Sequence, residues 1–391
     1  RERGLVQMNR WAFILASVII LVIPASGPVR AAEPIKLAAL FNLTGDMASI
    51  DRPGLNGAQL MARRINEAGG LLGGRPLEVI SIDTKTSTQA AASGARGAVT
   101  LDPVAGLGYG DTSFVMVAAP IFQDKGIPFV TSGATHPLLP RWVGDRLFMV
   151  AFGDDDQSFA IADFTHKVLK ARNIAVWTDE SMEFTKALSR FFIQRVEELG
   201  GRIVHQDAFR AGLTDFSPLI ERLRAVKPAP EAIFVAALPA EAGLSVKQIR
   251  TAGLNQPIVS GDGFDTELVT TLPGPALAQG VYFSTHAYRE DPRPEVRAFD
   301  EAYKRENKQP PNTAFAALGY DAVGLIADAL TRAGSTDGQA LSRALASTRG
   351  YQGVTGKISY TRPSGVPVKT VSIVGVIDGR YQVLSSWRPD Q

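Results

Sequence analysis

Two alternating patterns of apolar positions run through this chain. Short continuous apolar runs, Ile35–Leu40, Leu77–Ile82, Val104–Leu107 and Pro128–Thr131, have the length and composition of buried strands. Between them lie helix-period stretches. In Gly57–Ala68 the apolar residues Ala58, Met61, Ala62 and Ile65 fall at i, i+3, i+4 and i+7, and Gly69-Gly70 stops the helix. Gln89–Thr100 and Phe114–Lys125 are the next two helices. This β-α-β-α-β order predicts a parallel, doubly wound sheet with helices on both faces.

The rhythm then restarts. Ile174–Trp177, Ile203–His205, Ala232–Ala236 and Pro257–Ser260 read as strands. Thr185–Leu199, Phe216–Val226 and Ala240–Ala252 read as helices, the first with Leu188, Phe192, Val196 and Leu199 on one face. Two such units predict two sheets with separate cores. Further helices are expected over Pro294–Arg305 and Thr313–Ala333. Strand-like runs at Gly356–Tyr360 and Val368–Val376 close the chain, with a turn at Asp378-Gly379. Asp154-Asp155-Asp156, where the first unit ends, reads as a helix cap with a solvated acidic face.

The N-terminal segment has a different character. Arg10 precedes an apolar run from Trp11 to Ile23, followed by Pro24, Ser26 and Gly27, and Val29-Arg30-Ala31 offers a cleavage site. A membrane-spanning helix needs roughly 20 apolar residues, so this shorter run predicts an export signal beginning at Met8 and removed after Ala31. Its loss would change the formal net charge from +2 to −1. Neither balance supports a nucleic-acid surface. The chain has no cysteine, so an exported protein of 391 residues must draw its stability from its core and not from disulfides.

The chemistry of catalysis is sparse. His136, His166, His205 and His286 lack metal-ligand spacing, and no phosphate loop or nucleophile elbow occurs. No cofactor and no metal are therefore expected. Small polar groups cluster instead where strands run into helices, the usual ligand position in an open parallel sheet. One cluster is Gly108-Tyr109-Gly110-Asp111-Thr112-Ser113 and another is Thr131-Ser132-Gly133-Ala134-Thr135. In the second unit, Ser260-Gly261-Asp262-Gly263 follows a strand in the same way. Hydroxyls and free backbone N–H groups at the first two could bind a carboxylate, or could simply cap their helices. Asp262 could serve an ammonium, or could be a turn residue.

Several segments together resemble a known family. INEAGG (Ile65–Gly70), FVTSGAT (Phe129–Thr135), DFSPLIERLRAVKP (Asp215–Pro228), KQIRTAGL (Lys247–Leu254) and GYDAV (Gly319–Val323) are similar to the periplasmic binding proteins for leucine, isoleucine and valine, the solute receptors of ABC importers. The similarity runs from about Ile35 to near the C-terminus. It implies an α/β, type I fold of two lobes joined by three crossovers, near Phe152–Asp156, Ser284–Tyr288 and Gln352–Gly356. The lobes would be 32–153 with 286–354, and 154–285 with 355–391. It implies that Thr112, with Ser113 adjacent, holds a carboxylate, that Gly133-Ala134-Thr135 holds both ends of the ligand, that Asp262 pairs with an ammonium, and that Tyr320 lies near the cleft. Ile50 and Leu238 stand where such receptors often place pocket tyrosines, and Met149 where they carry an arginine. These departures make the side-chain end of the pocket more apolar.

The resemblance implies a periplasmic receptor that captures a small amino acid, branched-chain or otherwise apolar, by closing two lobes, with a membrane permease as partner, no nucleic acid and no chemistry on the solute. On that reading Asp262→Ala abolishes binding and leaves folding intact. One alternative is a receptor for an aromatic or aliphatic carboxylate without an amine, favoured by Ile50, Leu238 and Met149. Another is a secreted α/β hydrolase, for which His136 beside Thr135 is the candidate base.

Overall fold

Every apolar run read as a strand forms one in the computed structural model, which describes residues 32–288, 290–361 and 365–389. The expected export signal lies outside the described residues. The first sheet contains β1 (Ile35–Phe41), β2 (Leu77–Asp83), β3 (Ala105–Gly108), β4 (Phe129–Thr131) and β5 (Leu147–Met149), all parallel, in the order β2-β1-β3-β4-β5. The intervening helices are α1 (Ala48–Glu67), α2 (Thr88–Ala98), α3 (Thr112–Asp124) and α4 (Leu139–Val143).

The chain then enters a second sheet through α5 (Asp154–Lys167), β6 (Asn173–Asp179), α6 (Glu183–Glu198), β7 (Arg202–Phe209), α7 (Ser217–Ala225), β8 (Ala232–Ala236), α8 (Pro239–Thr251), β9 (Ile258–Ser260), α9 (Leu268–Thr271) and β10 (Val281–Thr285). It returns to the first sheet with α10 (Pro294–Asn307), α11 (Phe315–Ala333), α12 (Gly338–Ala346) and the hairpin β11 (Tyr351–Gly353) and β12 (Gly356–Ile358). Last come β13 (Val371–Ile377) and β14 (Arg380–Trp387), which extend the second sheet antiparallel, giving the order β14-β13-β10-β9-β8-β6-β7. The result is two doubly wound lobes. No helix among the described residues is long and apolar enough to cross a membrane.

Separate cores are not what the packing gives. One continuous apolar cluster runs from Leu37, Leu107 and Phe129 of the first sheet, through Phe152 and Ile161, to Phe192 and Phe234 on one face of the second. A distinct cluster around Trp177, Phe216 and Phe283 fills the other face. The cores fuse because the passage from β5 into α5 is itself apolar and buried, with Val150, Ala151 and Phe152 inaccessible to solvent.

Two buried polar groups fasten the passages between lobes. Lys369 donates to the Val150 carbonyl at 3.0 Å and to the Thr355 hydroxyl at 2.5 Å. Asp321 of α11 accepts from the amides of Val354 and Thr355, both at 2.8 Å. The Gln352–Gly356 stretch is thus a hairpin held against α11. Two residues beyond the hairpin are still bonded to the first sheet: the Gly365 carbonyl accepts from Met149 N at 2.7 Å, and the Tyr360 hydroxyl donates to the Met149 carbonyl.

Helix α1 begins nine residues before its expected start at Gly57, because packing outweighs the Pro53-Gly54 pair. Here α1 and α11 touch backbone to backbone. A methyl group at Gly57 would lie 1.9 Å from the Ala316 carbonyl oxygen, and one at Gly319 would lie 1.9 Å from that of Gly54. Neither obstacle is a flexible side chain. Gly57→Ala is expected to lower unfolding stability by about 1–3 kcal/mol, the usual penalty of overpacking, read as a shift of the urea midpoint at unchanged slope.

Candidate functional site

The carboxyl end of β3 turns sharply into α3. Gly108 has φ +142° and no room for a side chain, since a methyl group there would meet the Leu40 carbonyl oxygen at 1.8 Å. Asp51 of α1 fixes the loop, accepting from Gly110 N and Asn42 N, each at 2.8 Å. Asp111 then caps α3 by accepting from Ser113 N at 2.7 Å. Thr112, fully buried, keeps a hydroxyl with no hydrogen-bond partner. The β4 loop lies against this one. Gly133 N donates to the Tyr109 carbonyl at 3.0 Å, and the Gly110 Cα lies 3.1 Å from where a Gly133 methyl would be. Ala134 N donates to the Thr131 hydroxyl at 3.3 Å. The N–H groups of Gly133 and Ala134, expected to be free, are therefore already engaged. Ile50 sits beside Gly110, and the Phe315 ring covers both Gly110 and Gly133.

On the second sheet, Asp262 opens a short 3₁₀ turn after β9. It is no solvated turn residue. Its carboxylate accepts from Gln157 Nε2 at 3.0 Å and is 2.8 Å from His286 Nε2, and its own N–H donates to Gln157 Oε1 at 2.9 Å. Gln157 also donates to Asp154 at 3.0 Å, and Asp154 N donates to the Thr135 carbonyl at 2.7 Å. The ring of His286 stacks on Phe152 at 3.7 Å and presents an edge to Phe315 at 6.4 Å. Leu238, which caps α8, follows Ala237, whose carbonyl closes over Gly263 of the same turn.

Thr112, Thr135 and Asp262, all at most 2% exposed, thus lie just past the carboxyl ends of β3, β4 and β9, and Asp262 is joined to the Thr135 carbonyl through Gln157 and Asp154. The lobes also touch next to Thr112, where Glu183 N donates to the Ser113 hydroxyl at 3.5 Å and Met182 Sδ lies 3.9 Å from it. Tyr320 is elsewhere. It packs edge-on against Phe299 at 5.1 Å in a satellite cluster beneath α10, and its hydroxyl accepts from Arg64 at 2.7 Å. Position on α11 decides this, because Tyr320 follows Gly319 along the contact with α1. His136 is committed as well: its ring packs at a tilt against Trp142 with centroids 4.2 Å apart, and it accepts from Leu138 N at 3.2 Å. Burial, then the charge of Arg190, lowers its pKa to about 4.

Sequence reasoning missed Gln157, His286, Phe152 and Phe315. It also read the triple aspartate as solvated, whereas Asp154 is fully buried and Asp156 nearly so. The positive end of α5 receives all three, since each lies in its first turn.

Against this geometry, the comparisons with known proteins are decisive. A model of the periplasmic binding protein family matches residues 34–380. The chain belongs to that family. It is 29% identical over 298 residues to an amino acid binding protein of Pseudomonas aeruginosa, covering 75% of this chain and 77% of that one. Among solved structures it resembles the branched-chain amino acid transporter substrate binding protein LivJ from Streptococcus pneumoniae in complex with isoleucine, at 29% identity and TM-score 0.85 over 91% of this chain and all of that one. The leucine binding protein LivK from Thermotoga maritima is similar at 30% identity and TM-score 0.84, covering 91% and 99%.

The electrostatics of this periplasmic binding protein yield two expectations. Burial raises the pKa of Asp51 and of Asp265 to about 7, and that of Asp111 to about 6 with help from the charges of Asp179 and Asp262. A carboxyl whose pKa is raised by folding destabilises the native state once it ionises. Stability is therefore expected to rise as pH falls from about 7.5 to 5, and a urea midpoint that is flat or falling over that range would contradict it. Secondly, Asp262→Ala strands the Gln157 amide and the His286 ring N–H, so it is expected to reduce stability by about 1–3 kcal/mol, where the sequence suggested no effect on folding. Chemical denaturation of the variant measures this directly.

Proposed function

We propose that this protein is the exported receptor of an ABC importer and encloses a small apolar amino acid between its lobes, handing it to a membrane permease unaltered. The observation that carries the reading is that Thr112, Thr135 and Asp262 are buried in the turns after β3, β4 and β9, with Asp262 tied through Gln157 and Asp154 to the Thr135 carbonyl of the other lobe. The ligand's carboxyl end would lie at the two threonines, its ammonium at the Asp262–His286 pair, and its side chain against Ile50, Leu238 and Phe315. The first lobe would be residues 32–153 with 286–354, and the bonds of Tyr360 and Gly365 to β5 support carrying it on to Gly365. The second lobe would be 154–285 with the rest. Residues 1–31 would be the cleaved export signal of a periplasmic protein.

Energetics support enclosure. Micromolar affinity needs about −8 kcal/mol. For a solute of about nine heavy atoms that is about −0.9 kcal/mol per atom, close to the ceiling for small ligands, so one open face would not reach it. A carboxylate lacking an amine fits less well, since it would bring no cation to the buried Asp262. In a thermal-shift comparison, leucine at 100 times its Kd is expected to stabilise the protein by about 2.7 kcal/mol. Benzoate is expected to do nothing, and Thr112→Ala to abolish the leucine shift. Protection by benzoate and not by leucine would overturn the reading.

A further inference from the structure

A separate cavity, of about 880 Å³, lies at the passages between the lobes. Its walls come from the passage after β10, the β11–β12 hairpin, the passage before β13 and the end of β14. Of the groups placed at the solute site, His286 alone lines it. The volume is that of a ligand pocket, but such pockets are mostly apolar, whereas most residues of this wall are charged or carry a hydroxyl.

Four basic residues, Arg293, Lys357, Lys369 and Arg388, line the cavity, against one carboxylate, Asp291, among the described residues. Asp291 is already engaged by Arg293, whose Nε donates to its two oxygens at 3.0 and 2.9 Å. Lys357 and Arg388 are exposed and have no ion-pair partner among the described residues, and Arg388 Nε donates to the Thr370 hydroxyl at 2.9 Å. Lys369 is buried, and both its partners, the Val150 carbonyl and the Thr355 hydroxyl, are neutral. An ammonium has three donors, so one is left over. Asp321 attracts this ammonium without bonding to it. Ser372 and Ser386 stand directly opposite each other on β13 and β14, so their hydroxyls share the face that lines the cavity.

Cationic groups from four separate segments, with their one carboxylate already engaged, call for a ligand of negative charge. A lone inorganic ion would fill only a small part of the volume. We propose that this cavity binds a small polyanion, a molecule carrying two or more carboxylate or phosphate groups. The buried Lys369 and Ser372 serve one anionic group, and the exposed Lys357 and Arg388 serve another. The site does not depend on which solute the receptor carries.

Calorimetric titration of the full chain at pH 7.0, without any amino acid and in about 0.15 M sodium chloride to screen non-specific attraction, tests it. Lys369, its pKa lowered to about 8 by burial, is still protonated there. Citrate or pyrophosphate is expected to bind one to one and at least tenfold more tightly than sulfate. Binding of citrate alone would identify carboxylate groups as the ligand's, and binding of pyrophosphate alone would identify phosphate groups. Lys357→Gln with Arg388→Gln is expected to weaken that binding at least tenfold at an unchanged urea midpoint, since both side chains are exposed. Lys125→Gln with Arg141→Gln removes the same charge from exposed positions outside the cavity and is expected to leave binding as it was. Three results would each overturn the site: binding of neither polyanion, sulfate binding as tightly as both, or the same loss in the two double variants.

Discussion

A carboxylate taken out of water must be held, and the way Asp262 is held organises this molecule. Its two oxygens are shared between Gln157 of α5 and His286 of the passage that follows β10, while its N–H returns to Gln157. From Gln157 the bonds continue to Asp154 and, through its N–H, to the β4 loop of the first lobe. A single chain of hydrogen bonds thus links the β4 and β9 loops of the two sheets. Burying a charge without such partners would cost several kcal/mol, which is why these residues are tied together. His286, stacked flat on Phe152, is held in the one orientation that serves Asp262.

Much of this architecture was legible in the residues. Alternating apolar runs and helix-period stretches are a local signal, and parallel strands buried on both faces give it strongly. What escaped were elements with weak or mixed signals. β5 has three residues, and β14 alternates exposed and half-buried positions along its whole length because it is an edge strand. The start of α1 was hidden by a proline and a glycine that read as breakers, although Gly54 lies inside the helix against the Phe41 ring, with Gly319 of α11 packed on its backbone.

The site divides in the same way. The small polar turns at the ends of β3, β4 and β9 could be found because strand ends followed by Gly, Ser and Thr are a recognisable local pattern. Gln157 and His286 could not. Each matters only through a partner about a hundred or more residues away or in another passage, as Gln157 meets Asp262 across 105 positions and Ser284 across 127. Tyr320 was misplaced for the converse reason: its helix was identified, but the face it presents is set by the crossing of α1 and α11, which one sequence does not display.

Lys369 has a mechanical implication. Its ammonium, buried and with its pKa lowered to about 8 by loss of water despite Asp321, grips the Val150 carbonyl of the first passage and the Thr355 hydroxyl of the β11–β12 hairpin, while Lys369 itself lies in the last passage. Strands pinned to each other at a common point cannot flex one at a time. Any swing of the lobes must turn them together, like the pins of a single door hinge, and this restricts the motion to opening and shutting while suppressing twist.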